Sequence, residues 1–309
     1  MLTGFVLAAG FGTRLKPLTD HLPKALVPVC GQPLLRRALE WYKSQGIELI
    51  GVNSHHFPEL MAEFHKQSSI PFTVFHENVK IRGTGGALYF ARDFLSQTPE
   101  FFCSNVDIIT PLSIEELYPI FMDMDCVAGL VAVPVAGKGS ICYNASTKEY
   151  RGARTDLNAT GAGADFVGLA FYKKEFLSLL DNTDFSIVPV WKRVIELGHS
   201  VKVIEVGNPY WKDVGTPQAF AQIHFDVLEK RLSLSLLSDV TIDFDNKRAY
   251  STLLSSREIS RIGKDVWSEA SRIPEGMFLE RCIVMKETTL PIQEYINNKI
   301  VTPWGNINI

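Results

Sequence analysis

Short apolar runs alternate with amphipathic stretches through the first three quarters of the chain. Leu2 to Leu7 is a mostly apolar run without polar alternation, the pattern of a strand buried on both faces. Leu34 to Gln45 places Leu35, Ala38, Leu39 and Tyr42 on one stripe, with Gly46 as a stop, and predicts a helix. By the same criteria strands are predicted at Leu49 to Asn53, Phe72 to His76, Phe101 to Cys103, Cys126 to Val133, Asp165 to Tyr172 and Val201 to Val206. Helices are predicted at Pro58 to Gln67, Thr84 to Ser96, Ile114 to Met122, Lys174 to Asp181, Val188 to Leu197 and Gln218 to Leu228. The polar stretch from Gly137 to Gly163 reads as irregular strands and loops. This alternation predicts an α/β fold: a Rossmann-like, mostly parallel sheet with helices on both faces.

After about Leu237 long helical periodicity ends and strands become short and spaced. Phe278, Val284, Leu290 and Ile296 recur every six residues. That spacing is expected of a small left-handed β-helix, each edge stacking one apolar side chain inward, and equally of an irregular β-rich extension. The predicted division is a domain over 1–236 and a small C-terminal β-rich extension over 237–309.

Composition narrows the function classes. The chain is 46% hydrophobic and 21% charged, with a net charge of -3, which gives no electrostatic case for a nucleic-acid partner. No apolar run reaches the ~20 residues of a membrane span, and the N-terminus enters a strand directly, so a cytoplasmic protein is expected. Cys30, Cys103, Cys126, Cys142 and Cys282 are scattered and odd in number, as expected of reduced core residues.

The stretch Leu7 to Pro28, LAAGFGTRLKPLTDHLPKALVP, carries the clearest chemistry. It leaves the first strand, turns on Ala8-Ala9-Gly10-Phe11-Gly12 and presents Thr13, Arg14, Lys16 and Lys24. Small residues admit close backbone approach, free N–H groups in such a turn make an anion nest, and the basic residues add fixed charge. That combination suits a polyphosphate. Leu15 stands where a dinucleotide fingerprint needs its third glycine, and Leu15-Lys16-Pro17 stands where a Walker A loop needs Gly-Lys-Ser/Thr, so neither motif fits.

Leu7 to Leu18 and Pro23 to Val29 resemble the signature of the nucleotidyltransferases that join a nucleoside triphosphate to a sugar 1-phosphate, roughly L-A-[AG]-G-x-G-T-R-L-x-P-L-T followed by P-K-x-L-x-P-V. The compact pattern is similar to N-acetylmuramic acid 1-phosphate uridylyltransferases and mannose- or heptose-1-phosphate guanylyltransferases. The resemblance covers Met1 to about Leu228. It implies formation of a nucleoside-diphosphate sugar and pyrophosphate, with GTP or UTP favoured, and magnesium as cofactor. Metal ligation then falls to Asp107, just past a strand in Ser-Asn-Val-Asp, and Asp213, in Trp-Lys-Asp-Val-Gly-Thr, which resembles the family's W-x-D-x-G-T. Taken alone, Asp107 is equally an aspartate capping the next turn.

On the same resemblance Arg14 lies on the leaving phosphates, Lys24 on the α-phosphate, and Ala8, Ala9 and Gly10 face the nucleoside, with Gly12 and Thr13 completing the turn. Gly83-Thr84-Gly85-Gly86 opens a helix where the family reads the base; a plain glycine-rich helix start is the other reading. Glu77 is expected on base or ribose, or as a strand-end cap, and Asn53 on ribose or sugar. Asn105 and Gly168, the latter in an F-x-G-like element, complete the substrate residues. The family's Glu-Lys-Pro sugar-phosphate element is missing between Gly137 and Asp165, which leaves Lys212 or Arg154 as substitutes. His55-His56 reads as a hydrogen-bonded loop, since no third metal ligand stands at sensible spacing. Several members of the resembled family carry such a C-terminal domain, often used for subunit contacts, so the resemblance allows a homo-oligomer through this region. The signature reads the triphosphate and not the acceptor, so a non-catalytic nucleotide-sugar-binding paralogue, or transfer to a non-sugar phosphate such as phosphocholine, stays open.

Overall fold

The computed structural model describes residues 2–137, 139–154, 156, 160–235, 238–292 and 294–309. The boundary predicted at 236/237 lies outside the described residues. The chain forms two compact units, one from residues 2–11 and 35–211, the other from 12–34 and 212–309.

The first unit is built on a mixed sheet. Four strands, Thr73–His76, Leu49–Ser54, Thr3–Leu7 and Glu100–Asn105, run parallel in that spatial order, as the strand–helix alternation predicts. The long strand Ala162–Lys173 then joins antiparallel to Glu100–Asn105 and, on a second path, antiparallel to Ala128–Val135, which pairs in parallel with Val201–Glu205. Within the stretch expected to be irregular, Ile141–Tyr143 and Tyr150–Ala153 form antiparallel strands beside the start of Ala162–Lys173. Helices Leu34–Ser44, Pro58–Gln67, Ile114–Asp123 and Ile187–Glu196 follow the predicted stripes. The helix predicted over Thr84 to Ser96 divides into Gly83–Phe90 and Arg92–Leu95, parted at Ala91, where ψ opens to 7°. The one expected at Lys174 is a 3-10 helix, Lys174–Leu179. Phe5, Phe101, Phe176 and Trp191 lie at the centre of the unit, each at most 1% exposed.

The second unit is strand-rich. Val240–Asp243, Arg248–Ser251, Val266–Ser268, Phe278–Val284, Tyr295–Thr302 and Gly305–Asn308 are neighbours in that order. The outer pairings are antiparallel and the three inner ones parallel, so residues one coil apart face each other: Arg248 beside Val266, Val266 beside Cys282, Cys282 beside Lys299. This is the stacked-coil arrangement that the six-residue period suggested, with one correction. Val284, Leu290 and Ile296 point inward, but Phe278 is 40% exposed and stacks on Tyr295 outside; its neighbour Leu279 fills the interior position opposite Ile296. Strand alternation forbids both Phe278 and Leu279 from facing the core. Helix Pro217–Leu228 packs on the coils, its first turn capped by the Thr216 hydroxyl accepting from the Ala219 N–H at 3.1 Å. His224 on this helix accepts from the Cys30 N–H at 2.9 Å, so the helix holds the signature segment of its own unit.

Candidate active site

In the first unit the signature turn begins where Thr3–Leu7 ends. Ala8 and Ala9 are 4% exposed, whereas Gly10 is exposed and a Cβ built on it meets nothing within 4 Å, leaving room for a ligand against the backbone. The turn is held from below. The Ala8 N–H donates to Asn53 Oδ1 at 2.6 Å, the Asn53 amide donates to Glu77 Oε1 at 2.8 Å, and the Arg82 N–H donates to Glu77 Oε2 at 2.6 Å. His55 Nδ1 donates to the Glu77 carbonyl at 2.6 Å, so His55 is a loop hydrogen-bonder as expected. Asn53 and Glu77 are 3% and 1% exposed. Their polar atoms are spent on one another and on two backbone N–H groups, as buried polar groups require. They tie the signature turn to the start of the glycine-rich helix.

The Gly83–Gly86 segment packs closely on residues 184–186. A Cβ on Gly83, where φ is +68°, would lie 2.4 Å from the Phe185 carbonyl oxygen, and one on Gly86 would lie 2.6 Å from that of Asp184. The Gly85 N–H donates to the Phe185 carbonyl at 2.8 Å, and Thr84 Oγ1 accepts from the Ile187 N–H at 2.8 Å. These glycines therefore admit the close approach of the backbone of residues 184–186. Arg193 fixes that segment through two 2.7 Å bonds to Asp184, whose carboxyl this guanidinium holds below its ordinary range.

Asp107 is half-buried just past Glu100–Asn105, in a turn closed by the Val106 N–H donating to the Leu7 carbonyl at 3.1 Å. Asn105 faces Gly168 (φ +79°), where a Cβ would come within 2.9 Å of its amide nitrogen; the register shift between Phe166 and Ala170 sits at this glycine. Arg154 is exposed, its backbone N–H donating to the Ser140 carbonyl at 2.8 Å.

In the second unit Gly12 adopts the left-handed conformation (φ 63°, ψ 33°) before the 3-10 turn Thr13–Leu15. The Leu15 N–H and the Thr19 hydroxyl both donate to its carbonyl, at 2.8 and 2.9 Å, and the Lys24 stem lies against it. Arg14 Nη2 is 3.5 Å from Asp213 Oδ2, with side chains 67% and 43% exposed. An exposed pair of that length contributes about 0–1 kcal/mol to folding. The two groups are thus held together, yet remain open to a ligand. A Cβ on Gly215 would press on Arg14 Nη2 and on both Asp213 oxygens, all within 3.1 Å, so glycine there keeps the pair accessible. Lys212 is exposed beside Asp213, and Lys16 pairs with Asp20 at 2.8 Å.

Residues 3–135 match the family model described as "Nucleotidyl transferase". The N-acetylmuramate alpha-1-phosphate uridylyltransferase of Caulobacter vibrioides is 31% identical over 239 residues, covering 69% of this chain and 92% of that protein. The chain belongs to the sugar-phosphate nucleotidyltransferase family. A probable mannose-1-phosphate guanylyltransferase of Oryza sativa subsp. japonica is 27% identical to this nucleotidyltransferase over 97% of its chain and 86% of the rice protein. The crystal structure of HddC from Yersinia pseudotuberculosis shares its fold, with a TM-score of 0.59 and 22% identity, covering 72% of this chain and 98% of that one.

No group of three or more His, Cys, Asp or Glu side chains that could hold an ion exists among the described residues. Magnesium does not require one: it keeps several waters and binds through one or two carboxylates plus substrate phosphates. Asp213, its two oxygens uncovered by Gly215, fits as such a donor in its own unit, and Asp107 has the same hard oxygen chemistry in the other.

Sequence reasoning missed Phe11, 41% exposed inside the turn with its ring edge-on to His55 and His56 at 5.4 and 5.7 Å. It also missed His21, stacked on Trp304 of the same unit at 4.6 Å and 9°. Neither has a local pattern; only the exposure of an apolar residue within a polar turn singles out Phe11.

Proposed function

We propose that this nucleotidyltransferase makes a nucleoside-diphosphate sugar and pyrophosphate from GTP or UTP and a sugar 1-phosphate. The observation that carries the reading is the solvent-open Arg14–Asp213 pair uncovered by Gly215, in the same unit as Lys24 and the left-handed Gly12 turn. A phosphate oxygen of the sugar 1-phosphate attacks the α-phosphorus, forming one P–O bond, while the bond to the bridging oxygen of pyrophosphate breaks. The protein's work is alignment and charge neutralisation. In this reading Arg14 takes the charge that builds on the departing pyrophosphate, and Lys24 takes that of the α-phosphate. Backbone groups of Ala8, Ala9 and Gly10 bind the nucleoside, and those of Gly12 and Thr13 the phosphates. In the same reading Asn105, Gly168 and the Gly83-Thr84-Gly85-Gly86 turn contact the substrates, and Lys212 or Arg154 takes the sugar phosphate. Asp107 and Asp213 are the residues that would hold magnesium, which when bound screens the repulsion between the two anionic substrates.

Residues 1–236 are proposed as the catalytic domain and 237–309 as a β-rich extension that joins subunits. No helix among the described residues is long and apolar enough to cross a membrane, and a cytoplasmic site of action is proposed. Asp107→Asn and Asp213→Asn should each cut turnover at least ~100-fold with the fold intact, the scale of losing a charge-stabilising group. Near-wild-type rates in both would refute the metal assignment, and an unchanged rate in Arg14→Ala would remove it from the leaving-group role.

A further inference from the structure

Within the second unit the C-terminal part of the chain meets the signature segment at two places, one on each side of Lys24. After Lys24, the Cys30 N–H donates to His224 Nε2 at 2.9 Å. His224 Nδ1 donates to the Phe220 carbonyl at 2.8 Å, and its ring meets the fully buried Trp267 edge-on at 5.4 Å. Before Lys24, the His21 ring stacks on Trp304 at 4.6 Å and 9°. The first contact is an anchor in the core. The second lies at the surface, next to the residues expected on the polyphosphate.

Both partners of the surface stack are held from behind. Pro303 and Trp304 form the two-residue turn between Tyr295–Thr302 and Gly305–Asn308, in which Thr302 pairs with Gly305. The Thr302 hydroxyl closes this turn, donating to the Gly305 carbonyl at 2.8 Å and accepting from the Trp304 N–H at 3.1 Å, and proline fixes φ beside the indole. Trp304 is nevertheless 43% exposed, so its ring serves the contact with His21 rather than the core. His21 ends the 3-10 turn Leu18–Asp20, its N–H donating to the Leu18 carbonyl at 3.4 Å. In the same turn the Thr19 hydroxyl donates to the Gly12 carbonyl at 2.9 Å and Asp20 pairs with Lys16 at 2.8 Å. A Cβ on Gly12 would lie 2.8 Å from Thr19 Cγ2 and 3.0 Å from Lys24 Cβ. A shift of His21 is therefore passed to Gly12, Lys16 and the Lys24 stem, while groups that grip a ligand must stay within about 0.5 Å of their productive positions.

We propose that Trp304 is a positioning residue for the triphosphate: stacked on His21, it holds the signature segment in the geometry that presents Arg14 and Lys24 to the polyphosphate. The C-terminal coils are then a working part of triphosphate binding. The inference rests on the proposed roles of Arg14 and Lys24. Ring pairs of this kind shift an equilibrium by roughly three- to tenfold, which sets the size of the effect.

The test is calorimetric titration of GTP and of UTP, each with magnesium, into the purified full chain, followed by steady-state kinetics. Trp304→Ala should raise Kd and KM for the accepted triphosphate about three- to tenfold and leave kcat and the sugar-phosphate KM within about twofold, because a segment that is competent only part of the time lowers apparent affinity in proportion. Trp304→Phe should recover most of the loss. His21→Ala should give the same loss, with none added when Trp304→Ala is combined with it. Ile296→Val, which thins the core of the same coils, should lower the melting temperature and leave triphosphate affinity unchanged. If Trp304→Ala does not fold, His21→Ala, which leaves the coils untouched, carries the comparison. An unmoved Kd in the stack variants, losses that multiply in the double variant, or an equal loss in Ile296→Val overturns the inference alone. Shifted triphosphate affinity with no pyrophosphate from any sugar 1-phosphate upholds the inference and overturns the proposed reaction. A folded wild type that binds neither triphosphate overturns both.

Discussion

Glu77→Gln separates a substrate contact from a buried brace. In the structure each carboxylate oxygen of Glu77 accepts one N–H, from the Asn53 amide at 2.8 Å and from the Arg82 backbone at 2.6 Å. Glutamine supplies one oxygen and one NH₂. Whichever way it turns, one donor loses its partner and faces another donor. Loss of a hydrogen bond to a charged group costs about 1.5–3 kcal/mol, and relief of the buried charge offsets part of it. A net cost of about 1–3 kcal/mol lowers the melting temperature of a unit this size by roughly 3–10 °C. The side chain is 1% exposed and both its oxygens are spent on protein N–H groups, so KM for the triphosphate should move less than tenfold, under 1.4 kcal/mol. Calorimetric melting of the purified variant, paired with steady-state kinetics, reads both quantities. A melting temperature within about 1 °C of wild type, with KM raised tenfold or more, would place Glu77 on the substrate and refute the brace.

The glycines of the two turns should respond in opposite ways. Gly86→Ala drives a Cβ to 2.6 Å from the Asp184 carbonyl and should cost about 1–3 kcal/mol in thermal unfolding, while Gly10→Ala, with nothing within 4 Å, should keep its stability and weaken triphosphate binding in a calorimetric titration. Equal melting temperatures for the two would contradict this. Arg193 holds Asp184 below its ordinary range, and a carboxyl depressed in the folded state adds stability above its unfolded pKa of about 3.9 and loses it as pH falls through the folded value. The gap in melting temperature between wild type and Asp184→Asn should therefore be constant near neutrality and narrow progressively as pH falls below about 4; a gap that does not narrow at all on acidification would deny the ion pair its role. Trp304→Ala removes the stack on His21 and should cost about 0.5–1.5 kcal/mol in urea unfolding, with Trp304→Phe restoring most of it; no change with either would make the stack energetically idle.

The parallel half of the sheet and the position of the signature turn were legible because buried strands and amphipathic helices carry their period in neighbouring residues. The antiparallel entry of Ala162–Lys173 was not, since the order in which strands associate depends on contacts distant in sequence. The same limit hides the packing of the glycines. Residues 184–186 press where a Cβ on Gly83 or Gly86 would stand, and Thr84 and Ile187, which bond there, are 103 residues apart. Asn53 and Glu77 were correctly seen at strand ends, where ligands gather, but a polar residue there serves a ligand or the loops that surround it. Only the Ala8 and Arg82 N–H groups decide which. Phe278 was drawn inward by a six-residue count, although alternation hands the interior to Leu279.

The reaction itself is most directly tested by ³¹P NMR of enzyme, magnesium, GTP or UTP and a sugar 1-phosphate. The coupled doublets of a nucleoside-diphosphate sugar and the singlet of pyrophosphate should grow in equal amounts, and only when both substrates are present. Orthophosphate, or nucleoside monophosphate with pyrophosphate in the absence of the sugar phosphate, would mean hydrolysis and would contradict it.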